Sequence, residues 1–295
     1  MKSIYFTMIG PEKRVLGYFR DGNIDADKYI IFINQGYKDN KFVIEYKSEI
    51  LNVHLKGKNY QVIETFYNDP LHFTSTFNKI MNENEKDYFG EDANIEIDIS
   101  TFNRQNMFVL LRLLRKTHKV NSIKIIYTIP REVNENISKG AAGYSNIPFF
   151  NGAFQIEKKK LLLLLVGYEI DRPLLLWKEL EPSHVILASG YEPTSEEFLP
   201  HNNEIVEELG KFGKHERAEI NANDPFKAQQ QLCTIINERK DEYNIFISPM
   251  NTKLQAVGLY LAWEKYPQIQ IVTAYPDKFS EWLTKGIKEI RKYRI

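Results

Sequence analysis

Short apolar runs alternate with amphipathic stretches along the whole chain. Runs rich in Ile, Leu, Val, Phe and Tyr are typical of buried strands, and apolar residues that recur every three or four positions are typical of helices. The predicted strands are residues 29–33, 60–66, 95–99, 123–128, 161–166, 184–188, 218–220, 244–247 and 269–274, and predicted helices include 104–114, 226–236, 253–263 and 279–290. This alternation predicts an α/β fold with mainly parallel sheets.

The pattern also repeats on the scale of a whole α/β unit. Two predicted strands are each followed by Ser-x-x-Asn, a basic residue and an amphipathic helix, which pairs Ser100 with Ser248 and Asn103 with Asn251. The other paired landmarks are Pro130 with Pro276, Asn68-Asp69-Pro70 with Asn223-Asp224-Pro225, and Gly36-Tyr37 with Gly167-Tyr168. Their common order predicts two tandem Rossmann-like units from an internal duplication. Independent convergence of two such units would give similar patterns.

The repeat sets the predicted domain boundaries. The first unit is expected at residues 1–135, with its repeated part starting at Lys28, and the second at residues 161–295. Residues 136–160, rich in Gly, Asn and Ser, are expected to form a connecting loop or hairpin. Residues 185–199 are expected to be an extra strand and loop of the second copy.

Composition limits the classes of function. Lys plus Arg and Asp plus Glu both number 39, so the net charge does not favour coating nucleic acid or an acidic membrane, although a local basic patch stays open. The single cysteine excludes an internal disulfide, and no signal peptide or membrane-spanning run is visible. A cytoplasmic protein is therefore expected.

The two Ser-x-x-Asn junctions are the first candidate site. A helix that starts at the carboxyl end of a parallel strand offers free N–H groups and the positive end of its dipole to a ligand. Asn103 and Asn251 are predicted N-caps. Arg104 and Lys253 oppose the dipole by about 0.3–1 kcal/mol, which makes sense if an anion lies between them and the helix end. Solvated side chains are the alternative.

Two further strand-end loops join the candidate site. The segment GYEIDR supplies Gly167, Glu169, Asp171 and Arg172, and its expected counterpart in the first copy carries Asp39 and Lys41. The segment ASGYEP supplies Ser189, Gly190 and Tyr191.

Three carboxylates are candidate general bases, namely Asp98, Glu169 and Asp171. Asp98 lies inside a predicted strand, where a polar residue needs a ligand or a neighbouring loop as its partner. Asp171 as a helix cap and Arg172 in a local ion pair are equally compatible with the sequence.

Several motifs are absent. The chain has no P-loop, no G-x-G-x-x-G, no H-E-x-x-H, no cysteine cluster and no G-x-S-x-G elbow. No cofactor and no metal are therefore expected. The basic segment KGIKEIRKYRI is read as the solvated end of the helix predicted at 279–290.

The strand, SPMNTK turn, helix and IQIVTAYP strand of the last third resemble CRISPR-associated Rossmann fold (CARF) domains, and DISTFNRQ is a fainter likeness. The resemblance implies recognition of a nucleotide second messenger across a two-fold interface, often in prokaryotic antiviral defence. Ser248, Asn251, Thr252 and Lys253 match the positions that it carries over. No nuclease, winged-helix or membrane effector segment is visible, so this reading needs a separate effector protein.

Three hypotheses follow from the sequence. The leading one is a nucleotide-binding or sensing module that holds a phosphorylated ligand in a cleft between two Rossmann-like units. The second is a nucleotide or nucleoside hydrolase in the same cleft. The third is a protein–protein adaptor of a multi-subunit assembly whose cleft no longer binds a ligand.

Overall fold

The computed structural model describes residues 2–22, 24–66, 69–134, 138–193, 198–280 and 284–295, with the backbone alone for residues 84–87 and 279. The chain forms two compact units. The first contains Met1–Asn134 and Glu281–Ile295, and the second contains Glu135–Ser280. The sequence-based boundaries differ, because the C-terminal segment belongs to the first unit and residues 136–160 belong to the second.

The elements of the first half of the chain are β1 (Ser3–Ile9), α1 (Gly17–Asp21), β2 (Lys28–Asn34), α2 (Lys41–Glu49), β3 (Tyr60–Thr65), α3 (Pro70–Tyr88), β4 (Asn94–Asp98), α4 (Arg104–Arg112), β5 (Ile123–Ile129), β6 (Glu132–Val133), β7 (Ser138–Lys139) and β8 (Gly143–Asn146). Those of the second half are β9 (Lys159–Leu165), α5 (Asp171–Leu180), β10 (His184–Tyr191), α6 (Phe198–Gly210), β11 (Glu216–Asn221), α7 (Pro225–Arg239), β12 (Tyr243–Pro249), α8 (Lys253–Lys265), β13 (Gln270–Tyr275), β14 (Lys278–Phe279), β15 (Thr284–Lys285) and β16 (Glu289–Arg294).

The two main sheets have the same strand order. The first is β16-β5-β4-β1-β2-β3 and the second is β8-β13-β12-β9-β10-β11. Strands β1–β5 of the first sheet and β9–β13 of the second pair in parallel. One edge strand of each sheet, β16 or β8, pairs antiparallel with the fifth of these strands, β5 or β13. Both units are therefore Rossmann-like, and the predicted α/β fold with an internal duplication is confirmed. In each unit the strand order reverses at the first strand, β1 or β9, which places the fourth strand beside it.

The strand order corrects part of the predicted correspondence between the copies. Ser100 matches Ser248 after the fourth strands, and Pro130 matches Pro276 after the fifth. Asp69 and Asp224 both cap helices that begin with proline, although Asn68 lies outside the described residues. Gly36-Tyr37 follows β2, whereas Gly167-Tyr168 follows β9, so this pairing is wrong and the counterpart of Gly167 is Gly10.

Three regions of the chain also differ from the prediction. Strand β1 was missed, so the first copy begins before Lys28. The segment expected as an extra strand and loop contains β10, the ordinary second strand of its sheet, while residues 194–197 of that segment lie outside the described residues. Residues 279–290 form no helix among their described positions but contribute to β14, β15 and β16, because pairing with β5 overrides the helical spacing of the apolar residues.

Each sheet buries apolar strand residues beneath its helices. In the first unit the side of α1 and α2 is lined by aromatic residues that include Tyr5, Tyr18 and Tyr29. In the second unit the side of α5 and α6 is mainly aliphatic, with Leu162, Leu164 and Leu187 at its centre. These layers hold the carboxyl ends of the parallel strands in place. Within the described residues, no helix combines the length and apolar character needed to cross a membrane.

Candidate functional site

The start of α4 is held by hydrogen bonds on both sides of the turn that follows β4. Asn103 is the N-cap, as predicted, because its Oδ1 accepts from the Asn106 backbone N–H at 2.8 Å. Ser100 is fully buried, and its Oγ accepts from the Thr128 backbone N–H at 2.7 Å, which ties the turn to β5. Arg104 is the first helical residue and is half-buried. A cation therefore lies in the first turn of a capped helix.

Asp98 lies beneath this turn and is 1% exposed. Its Oδ1 accepts from the Ser100 backbone N–H at 2.9 Å, and its Oδ2 accepts from the Tyr5 hydroxyl at 3.3 Å. Burial raises the pKa of Asp98 to about 6, although these bonds and the charge of Arg14 oppose the shift. Asp98 thus holds its own loop, and both of its carboxylate oxygens are already engaged in hydrogen bonds.

The start of α8 differs from the prediction by one residue. Thr252, not Asn251, is the N-cap, because its Oγ1 accepts from the Gln255 backbone N–H at 3.2 Å. The same hydroxyl donates to the Ala222 carbonyl oxygen at 2.7 Å, a bond that favours Thr252 as the cap. Asn251 is 5% exposed and packs against Gly190, while Lys253 is the half-buried first helical residue.

The third helical positions of α4 and α8 carry equivalent amides with different surroundings. Gln255 is 1% exposed, and its Nε2 donates to the Ile220 carbonyl oxygen at 2.8 Å. Asn106 is fully buried and one methylene shorter. Within the described part of the chain, neither its Oδ1 nor its Nδ2 makes a hydrogen bond. Nor does Asn103 Nδ2, whereas at the third position of α8 only the Oε1 atom of Gln255 has no partner among the described residues.

The carboxyl edge of the second sheet is closed by the protein itself. Asn202 of α6 is fully buried, and its Oδ1 accepts from the Gly190 N–H at 2.8 Å. Its Nδ2 donates to the carbonyl oxygens of Val166 and Gly167 at 2.8 and 3.0 Å. Asn202 thus occupies backbone groups that a ligand at this switch point would use, and the sequence analysis missed it.

Gly167 shows how tight this closure is. A Cβ atom at this position would lie 2.2 Å from the Met250 carbonyl oxygen. The loop after β9 and the loop after β12 therefore touch through their backbones. Ser248, also fully buried in β12, has an Oγ without a hydrogen-bond partner among the described residues.

A buried Glu–Arg pair follows the first strand of each unit. Arg172 pairs with Glu169, and its Nη1 donates to the Ala274 carbonyl oxygen at 3.3 Å. Arg14 pairs with Glu12 at 2.8 Å, and its Nη1 donates to the Tyr127 hydroxyl at 3.3 Å. Each Arg thus reaches the fifth strand of its sheet. The predicted counterpart of GYEIDR, with Asp39 and Lys41, is wrong, because the repeated positions are Gly10, Glu12 and Arg14.

The remaining predicted residues lie at the edge of the second unit. Asp171 is exposed and accepts from the Gly140 N–H at 2.8 Å; it begins α5 without capping it. Ser189 Oγ donates to the Ala218 carbonyl oxygen at 3.5 Å, and the Tyr191 hydroxyl accepts from Gln231 Nε2 at 3.2 Å. These contacts are structural and lie within the second unit. In the described ranges, no group of three His, Cys, Asp or Glu side chains is arranged to hold a metal.

Comparisons with known proteins add the following. No family model matches the chain, and no curated protein sequence matches it. Among solved structures, it is similar to the cytoplasmic domain of a prokaryotic cation chloride cotransporter, with 9% identity, a TM-score of 0.30, and coverage of 95% of this chain and 99% of that chain. It is also similar to a universal stress protein from Archaeoglobus fulgidus DSM 4304, with 11% identity, a TM-score of 0.26, and coverage of 93% and 97%. Likeness at this level does not place the chain in a family.

Proposed function

We propose that the protein binds a phosphorylated nucleotide at the start of α4, on the carboxyl edge of the first unit's sheet. The observation that carries the proposal is Asn106, whose amide is fully buried and has no hydrogen-bond partner in the described chain. Leaving a buried polar group without a partner costs about 1–3 kcal/mol. In the equivalent Gln255 the Nε2 atom is bonded to the Ile220 carbonyl oxygen and only Oε1 has no partner in the described chain, whereas both polar atoms of Asn106 have none.

The chemistry of the helix start favours an anionic ligand. The first turn of α4 supplies backbone N–H groups and the positive end of the dipole, and Arg104 supplies a positive charge. The donor and acceptor of one carboxamide match the donor and acceptor on the edge of a nucleobase. A nucleotide combines both groups. The fainter likeness of DISTFNRQ, which leads into α4, to CARF domains extends the proposal to a nucleotide second messenger in antiviral defence, with a separate effector protein.

A thermal-shift screen tests this function with mononucleotides, dinucleotides and cyclic oligonucleotides as probes. A binder should raise the melting temperature of the wild type, and Arg104→Ala should weaken its affinity about 10- to 150-fold, as expected for a charge-assisted contact. Lys116→Ala, an exposed cation beyond the other end of α4, is the matched control and should keep wild-type affinity. Lys253→Ala should also keep it, because the second unit's edge is closed.

Two results would overturn the proposal. One is the absence of a shift with every nucleotide, and the other is a binder whose affinity depends on Lys253 but not on Arg104. Turnover of the bound nucleotide in the same samples would instead favour the hydrolase hypothesis.

A protein–protein adaptor is the second candidate function. It is favoured by the closed edge of the second unit, where Asn202 and the Gly167–Met250 contact fill the place of a ligand. An adaptor should co-purify with defined protein partners and show no nucleotide-induced shift. Partner binding that survives Arg104→Ala would support this function for the second unit.

A further inference from the structure

The antiparallel edge strand of each sheet comes from the part of the chain that follows the other unit's fifth strand. Strand β8, which completes the second sheet, comes after β5 and β6 of the first unit. Strand β16, which completes the first sheet, comes after β13 and β14 of the second unit. The exchange is therefore reciprocal. We name residues 138–146 the first arm and residues 284–295 the second arm.

The two arms follow the same sequence of steps. After β5 the chain forms β6 in the first unit, then β7 and β8 in the second. After β13 it forms β14 in the second unit, then β15 and β16 in the first. Strand β6 pairs with β15, and β7 pairs with β14, both antiparallel. Both connections thus contain two short strands followed by an edge strand, in the same order. Chance placement of a single edge strand would not produce this order twice.

Each arm is fixed by backbone and side-chain contacts. The second arm pairs six residues of β16 with β5, and its Thr284 hydroxyl donates to Glu12 Oε2 at 2.6 Å. The Arg131 N–H of the first unit donates to the Lys285 carbonyl oxygen at 3.1 Å. The first arm pairs four residues of β8 with β13, and Ser145 bonds to the Tyr275 hydroxyl. Both arms therefore complete the sheet that they join.

From this reciprocal exchange we infer that the protein is a single-chain form of an arm-exchanged homodimer. Each half of the chain, cut between β8 and β9, carries five strands of one sheet and the edge strand of the other. The partner that each half is built to bind is thus a second copy of the same α/β unit together with its arm. The covalent link between β8 and β9 is not needed to hold the halves together.

A cleavable chain tests this inference without isolating either half. Residues 151–157 are all exposed, so a recognition site for a specific protease is inserted between Ile156 and Glu157. After cleavage of the folded protein, the two fragments should elute together at the size of the uncut chain. Fragments that separate spontaneously at micromolar concentration would overturn the inference.

A second variant shows whether the arms cause the association. Truncation before Glu289 removes β16. The dissociation constant of the two cleaved fragments should then be roughly 100-fold or more above that of the cleaved full-length protein, as expected from the loss of a six-residue ladder. Lys292→Ala keeps the backbone ladder and is the matched control, so its cleaved halves should behave as wild type. Association that is equally tight with and without β16 would show that the arms do not hold the halves, and it would also overturn the inference.

Discussion

At the scale of single residues, the polar positions that the sequence singled out are mostly structural. Ser100 and Asp98 hold the turn before α4, and Arg172 forms a local ion pair with Glu169. The sequence could identify them, because polar residues at strand ends are conspicuous. It could not identify Asn202, which lies in a helix distant along the chain and meets Gly190 only through folding.

Asp98 provides a pH-dependent prediction. Its folded pKa of about 6 lies above the usual value, so the folded state binds the proton more tightly than the unfolded state. Its contribution to stability is therefore complete below about pH 4 and is lost as the pH rises to about 6, with a total loss of about 3 kcal/mol. Asp98→Asn mimics the protonated form and should remove this loss, so the variant should be more stable than wild type at pH 7.5.

The measurement is urea unfolding followed by circular dichroism between pH 4 and 7.5. In the variant the side chain stays buried, its amide oxygen accepts from the Ser100 N–H and its amide nitrogen donates to the Tyr5 hydroxyl. The bond to Tyr5 is then reversed in direction, as it is for a protonated carboxyl group, so the two proteins should have similar stability near pH 4. Identical pH profiles for wild type and Asp98→Asn would contradict the assignment of the dependence to Asp98.

Asn106 and Gln255 give a second residue-scale prediction. Asn106→Leu replaces two buried polar atoms that have no partner in the described chain, and it should leave the melting temperature unchanged or raise it. Gln255→Leu removes the donor to the Ile220 carbonyl oxygen and should lower stability by about 1–3 kcal/mol. Calorimetric melting of both variants checks the contrast. A large loss for Asn106→Leu would mean that its amide has a structural partner.

At the scale of elements, the starts of the helices could be predicted from the sequence, but the identity of the N-cap residue could not be predicted in every case. Asn103 caps α4 as predicted, whereas Thr252 caps α8 one residue after the predicted Asn251. Both residue types are good caps. The bond from Thr252 Oγ1 to the Ala222 carbonyl oxygen distinguishes them, and that contact is tertiary.

The cap of α8 can be tested directly. Thr252→Ala removes the bond to the Gln255 N–H and should lower the free energy of unfolding by about 0.5–2 kcal/mol. Thr252→Ser keeps the hydroxyl and is the matched control. Chemical unfolding of both variants measures the effect. Equal stability of Thr252→Ala and wild type would show that the cap contributes little to α8.

The glycines after the first strands give another element-scale contrast. A Cβ at Gly167 would collide with the Met250 carbonyl, so Gly167→Ala should lower stability by about 1–3 kcal/mol or more. At the equivalent Gly10 the nearest heavy atom would be Thr101 Cβ at 3.6 Å, an ordinary contact. Gly10→Ala should therefore be nearly neutral. Similar losses in both variants, measured by thermal unfolding, would argue against the tighter closure of the second unit.

At the scale of the whole molecule, the α/β class and the duplication were predictable, because apolar runs and strand-end landmarks recur in order. The residue limits of the two units could not be predicted. Strand β1 was missed, and the apolar residues of 279–290 have a spacing compatible with a helix. Their strand conformation depends on the ladder with β5, which lies far away in the sequence.

The C-terminal strand therefore distinguishes the observed units from the predicted ones. Truncation before Glu289 removes the neighbour of β5, so amide hydrogen exchange should accelerate in Ile123–Ile129 and, less strongly, in the adjacent Asn94–Asp98. Exchange in Gln270–Tyr275 should stay at the wild-type rate, because that strand pairs with β8 and β12. Exchange mapped by mass spectrometry makes the comparison. Faster exchange confined to Gln270–Tyr275 would instead support the boundary in which the chain end belongs to the second unit.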